Sequence, residues 1–162
     1  TLLCSGISGG LAVFLPVLLS DIVWIINGEP NTGEQMGINY FTVFDGTVYR
    51  ELQFVWDGLF LVLFLLLLSF LFGASWSVIG LCVSAFIPNR YIALAAPFAL
   101  FFGAHLILYR LGDPLLFSPA NVLMPATDFI PFPAFPLLYQ LGMLALASIL
   151  CWKLLERRLW DV

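Results

Sequence analysis

Few side chains in this sequence could do chemistry, and each stands nearly alone among apolar neighbours. Gly6-Ile7-Ser8-Gly9 offers a serine that a base could activate, and His105 is the one histidine. A serine nucleophile needs its base within hydrogen-bond reach. Asp21 lies inside an apolar run, where an ionisable group is a functional candidate by default. The three cysteines, Cys4, Cys82 and Cys151, have no spacing that suggests a metal site or a disulfide. No His, Cys or carboxylate cluster has metal-ligand spacing. There is no phosphate loop of the G-x-x-x-x-G-K-S/T kind and no G-x-G-x-x-G after a strand. The sequence therefore predicts no nucleotide bound by these routes, no cofactor, no metal and no catalytic residue. A net charge of −4 argues against nucleic acid as a partner.

Composition says what must hold these residues. Of 162 residues, 62% are hydrophobic and 10% charged, and the mean hydropathy is +1.03. A soluble domain has about 45–50% apolar and about 25% charged residues. It also leaves much of its surface in water, where polar cover is needed. A lipid bilayer removes that need. The reading is an all-α, polytopic membrane helical bundle.

A transmembrane helix needs roughly 20 mostly apolar residues to cross about 30 Å of hydrocarbon. Four stretches qualify: 2–26, 55–87, 91–109 and 135–152. The second is roughly 33 residues, ~50 Å as one helix. Halving it would leave two spans below the minimum length, so one long helix, bent near Gly73, is expected. Pro88-Asn89-Arg90 is a tight turn to the third span. Two loops, 27–54 and 110–134, separate the other spans. Spaced aromatics over 40–54 suggest a short interfacial helix. The second loop is rich in Pro yet apolar. It reads either as re-entrant helical pieces before the last span or as a structured loop lying on the membrane. Ser118-Pro119 reads as a helix start, with Ser as N-cap and Pro at the first helical position.

Lys and Arg in short loops set orientation. Arg90 follows the second span, and Lys153, Arg157 and Arg158 follow the fourth. With four spans these share one side, so four of the six basic residues fall there. That side is expected to be cytoplasmic, with the C-terminus inside. The three cysteines fall toward the same side, where thiols stay reduced. The first residue is Thr1, already at the edge of an apolar run, so the chain is expected to be a fragment lacking N-terminal helices.

This topology bears on the candidates. Intramembrane serine proteases of the rhomboid type carry a Gly-x-Ser-Gly serine and a histidine on another span. Ser8 and His105 would differ in depth by roughly 13 Å, so that reading is a remote alternative. His105 is either part of a translocation path or an interhelical hydrogen-bonding group. Asp21 sits near the outer interface, which explains it cheaply, or in a substrate path. Ser69, Gly73, Ser77, Gly80 and Ser84 recur at steps of 4, 4, 3 and 4, on one helix face. Such a stripe lets a neighbouring backbone approach. It is either static packing or a contact that slides during transport.

The order of features is also informative. A Gly-rich first span ends in Leu15-Pro16-Val17-Leu18-Leu19. A long second helix carries Phe70-Leu71-Phe72-Gly73-Ala74 and Gly80-Leu81-Cys82-Val83-Ser84-Ala85-Phe86. Asn89-Arg90-Tyr91-Ile92-Ala93-Leu94 follows, then Ala96-Pro97-Phe98, then Phe117-Ser118-Pro119-Ala120-Asn121, a last span and a basic tail. Over nearly its whole length this resembles the permease subunits of bacterial ABC-2-type ABC transporters. The resemblance implies that the four spans match the third to sixth of six. It implies re-entrant helices before the last span, a second permease half, homo- or heterodimeric, and separate cytoplasmic ABC ATPase subunits. It implies residence in the bacterial cytoplasmic membrane and export more often than import. ATP-driven closure would rock the permease halves and open a path between them. A non-catalytic accessory subunit of a membrane complex is the competing expectation, since it needs only packed helices.

Overall fold

In lipid every backbone N–H and C=O must be satisfied within the chain, and a continuous helix does this alone. The computed structural model describes residues 2–27, 59–87, 89–111, 117–119, 122 and 130–160. It is an all-α bundle, with no strand among the described residues. The four long helices are α1 (Leu2–Asn27), α2 (Leu59–Phe86), α3 (Arg90–Leu111) and α4 (Phe135–Trp160). All four are long and apolar enough to cross a membrane, so the protein is membrane-embedded and multi-pass. The expected interfacial helix over 40–54 lies outside the described residues.

The second span is one uninterrupted helix of 28 residues, ~42 Å long. It ends as Ile87 N–H donates to the Val83 carbonyl at 3.0 Å. Asn89 then starts α3. Its side-chain oxygen accepts from Tyr91 N–H at 3.0 Å and Ile92 N–H at 3.4 Å, and its carbonyl accepts from Ala93 N–H at 3.0 Å. This is an N-cap, which satisfies donors the first turn would otherwise leave unpaired. Pro16 and Pro97 lie within α1 and α3. Helix α4 runs on past the apolar span through the basic tail to Trp160. Hydropathy falls at Lys153, but nothing there breaks the helical hydrogen-bond ladder.

Helix α2 is the centre. Each of the other three packs chiefly on it. Half of its apolar window is buried, against 6% for α1 and for α3. Along α1 and α2, Ser5 meets Ser77, Gly9 meets Gly73 and Phe14 meets Phe70, so the two run antiparallel. Gly80 meets Pro97 and Phe72 meets Phe101, so α2 and α3 are also antiparallel. Ser75 meets Gln140 and Val78 meets Ala147, so α2 and α4 are parallel. The starts of α1 and α3 and the ends of α2 and α4 therefore share one end of the bundle. Lys153 lies toward that end.

At the α1–α2 crossing the backbones touch. A Cβ on Gly73 would run into the Gly9 carbonyl and lie 2.8 Å from Val13 Cγ2. A Cβ on Gly9 would strike Ser77 and lie 2.7 Å from the Gly73 carbonyl oxygen. At Gly10 it would lie 2.6 Å from the Phe70 ring. Gly73→Ala is therefore expected to destabilise the bundle by about 1–3 kcal/mol, the usual cost of overpacking. Gly103→Ala, whose Cβ meets nothing within 4 Å, is expected to cause no such loss. Unfolding of both variants by SDS titration from mild detergent measures the difference.

Candidate functional site

The small-residue stripe of α2 does not face one neighbour. Gly73 and Ser77 face α1. The Ser77 hydroxyl donates to the Ser5 carbonyl at 2.8 Å, and the two hydroxyls are 2.9 Å apart. Ser5 Oγ also lies 3.3 Å from the Ser77 carbonyl, to which it can donate. Gly80 faces α3, where a Cβ would lie 3.2 Å from Pro97 Cγ. Ser69 is buried and donates to the Leu65 carbonyl of its own helix at 2.9 Å. Ser84 is exposed and donates to the Leu81 carbonyl at 2.7 Å. Off the stripe, buried Ser75 donates to the Leu71 carbonyl at 2.8 Å and lies 3.5 Å from the Gln140 carbonyl of α4. Asp21 belongs to α1, and its side chain lies outside the described residues.

His105 has a partner in the segment between α3 and α4. Its Nδ1 is 2.8 Å from the hydroxyl of Ser118, which donates when Nδ1 is unprotonated. Ser118 is fully buried. Its carbonyl accepts from Val122 N–H at 3.1 Å, and Pro119 is already helical, so Ser118 occupies the N-cap position. The Tyr139 hydroxyl of α4 donates to the Phe117 carbonyl at 2.9 Å. Two adjacent residues of the segment are thus pinned by polar side chains from two helices. Rings complete the site: His105 stacks on Tyr109 at 6.5 Å, and Phe135 packs between Phe117, Phe132 and Tyr139.

Depth follows from the helix rise. His105 lies six residues before the end of α3, ~9 Å along its axis, and Tyr139 lies four residues into α4, ~6 Å. Ser118 and Phe117 therefore lie beside α3 and α4, each held by a side chain about one turn or more from the helix end. Ser118, Val122 and Ile130 are all buried, and Ile130 packs on Leu61, Leu65 and Leu68 at the start of α2.

A serine hydroxyl on an imidazole is the arrangement of a nucleophile and its base. Here the oxygen is enclosed, so in this arrangement no substrate carbonyl can reach it. The pair acts as an interhelical hydrogen bond. Ser8 does not meet His105: it is exposed and donates to the Ser5 carbonyl at 3.0 Å. Sequence reasoning found Ser118 as a cap and His105 as a polar group in a span, but not that they meet. The signal was available, since an imidazole within an apolar span needs a hydrogen-bond partner. It missed Ser5 and Tyr139 altogether.

The chain was compared with protein-family models, curated proteins and solved structures, and none matches.

A double-mutant cycle on His105→Ala and Ser118→Ala measures the pairing. The expected coupling is about 0.5–1.5 kcal/mol, the net worth of one such hydrogen bond. A cycle that closes to zero would mean that the pair contributes nothing to folding.

Proposed function

We propose that this chain is a permease subunit of an ATP-driven, ABC-2-type transporter. It forms half of a translocation path and works with a second permease half and separate cytoplasmic ATPase subunits. The observation that carries the reading is the placement of Phe117 and Ser118, before the last helix, against α4 and α3, where Tyr139 and His105 hold them. The family resemblance implies a re-entrant element at that place in the chain order. The packing directions add support. They bring the α2–α3 turn, where Arg90 lies, and the basic tail to one end of the bundle. By the excess of Lys and Arg, that end faces the cytoplasm, in keeping with a protein of the bacterial plasma membrane whose C-terminus is cytoplasmic. The sequence has no phosphate loop of its own, in keeping with a partner ATPase.

One observation favours the accessory-subunit alternative. The Gly9–Gly73 contact cannot slide without breaking the Ser5–Ser77 bonds. That part of the stripe is static packing. The α2–α3 seam at Gly80 is then the place for a moving contact.

Affinity purification from native membranes separates the two readings. The permease is expected to bring down a P-loop ATPase whose ATP hydrolysis rises on reconstitution with the permease in nanodiscs. A stable complex with no ATPase in it would favour the accessory subunit. Gly80→Leu, which wedges a side chain against Pro97, is expected to lower that stimulated hydrolysis. Unchanged hydrolysis with normal assembly would rule out movement at this seam.

A further inference from the structure

All three cysteines are free thiols, and they differ in surroundings. Cys4 on α1 is exposed. Cys82 on α2 is half-buried, and Cys151 on α4 is fully buried. Cys82 packs against the buried cluster of Val78, Ala147 and Cys151, and since α2 and α4 are parallel with Val78 beside Ala147, Cys82 and Cys151, each four residues on, lie level across the α2–α4 interface. Cys82 lies four residues from the end of α2, ~6 Å along the axis. Lys153, exposed, follows Cys151 by two residues. The pair is thus within about a turn of the polar end of the bundle, where small aqueous reagents arrive. We propose that Cys82 and Cys151 form a redox modification site, oxidised by a peroxide to a disulfide that ties α2 to α4.

The chemistry balances with the peroxide as sole co-reactant. Cys82, the less buried sulfur, loses its proton and attacks one peroxide oxygen. The O–O bond breaks, and the departing hydroxide takes up that proton as water, leaving Cys82 as a sulfenic acid. The Cys151 sulfur then attacks the Cys82 sulfur. The S–O bond breaks, and the hydroxide leaves with the Cys151 proton as a second water. Two thiols are oxidised by two electrons, and one peroxide is reduced to two waters. The bond closes a loop of about 70 residues and fastens the central helix to the last one. This inference does not depend on the transport reading.

The test treats the full chain in detergent micelles with hydrogen peroxide, then unfolds it in SDS with N-ethylmaleimide and measures intact and peptide masses. The expected product is a monomer lighter by two hydrogens, alkylated at Cys4 alone, with a Cys82–Cys151 linked peptide. Dithiothreitol restores three alkylatable thiols. Cys4→Ser is expected to keep the cross-link, and Cys82→Ser to lose it and leave Cys151 alkylatable. Cys82 and Cys151 both still alkylated after the peroxide treatment would overturn the proposal. So would a link from Cys4 to either of the others.

Discussion

Two helix backbones can touch only where neither puts a side chain between them, and in lipid this matters more than in water. Lipid tails are as apolar as leucine, so burying leucine against leucine gives little reason for helices to associate. Close packing and hydrogen bonds must supply the attraction. Gly9 against Gly73 supplies the first, and Ser5 against Ser77, one turn away, supplies the second. Together they fix which residues of α1 and α2 meet and hence their antiparallel register. They also fix the rotation of α2. At 100° per residue, Ser75, Val78 and Cys82 lie roughly 140–200° round from Gly73. With α1 on the glycine face, the opposite side is left for α4. Phe72 and Trp76 fall to one side of that line and meet Phe101 of α3, with ring centroids 5.8 and 5.6 Å apart. One close contact therefore decides where the other helices sit on α2.

The polar side chains obey the same economy. A hydroxyl without a partner in an apolar setting costs about 1–3 kcal/mol. Each described serine of α2 meets this demand with a carbonyl one turn back or with a neighbouring helix. His105 cannot use its own ladder, because an imidazole reaches away from the backbone. Its partner has to come from another part of the chain, and Ser118 does. The demand of one half-buried ring thus helps to hold Ser118 against α3, while the Tyr139 hydroxyl holds the adjacent carbonyl.

Sequence and structure agree where the controlling property is local. Hydropathy runs along the chain, so the four spans were legible, and the long second stretch could be one helix only. Asn89 and Ser118 were legible as turn and cap residues because capping depends on the residue and its next few neighbours. What failed to show was the choice of partner. The spacing of Ser69, Gly73, Ser77, Gly80 and Ser84 puts them on one face, but a face does not name its neighbour. Gly80 points within about 20° of Gly73 yet meets Pro97 of α3 and not α1. Likewise the local motif around Ser8 drew attention to the wrong hydroxyl for His105. Depth separated Ser8 from His105, but only the path of the chain after Leu111 could bring Ser118 to it.

The kinds of contact in the bundle also divide it mechanically. Between α1 and α2 the surfaces interlock: carbonyls sit against glycines, and directional hydrogen bonds cross the seam. A shift of one residue would drive Ser77 or Val13 into backbone. Between α2 and α3 the contact consists of ring edges and faces at Phe72, Trp76 and Phe101, together with Pro97 beside Gly80. Aromatic pairs hold over a range of offsets, with centroids anywhere from 4.5 to about 7 Å apart. A rigid α1–α2 pair with a more permissive α3 follows from these surfaces alone. Because the connecting segment is tied to α3 through His105 and to α4 through Tyr139, any displacement of α3 along that seam must be absorbed at Phe117 and Ser118. The two hydrogen bonds there link the most permissive helix contact to the one element of the described chain that is not a full span.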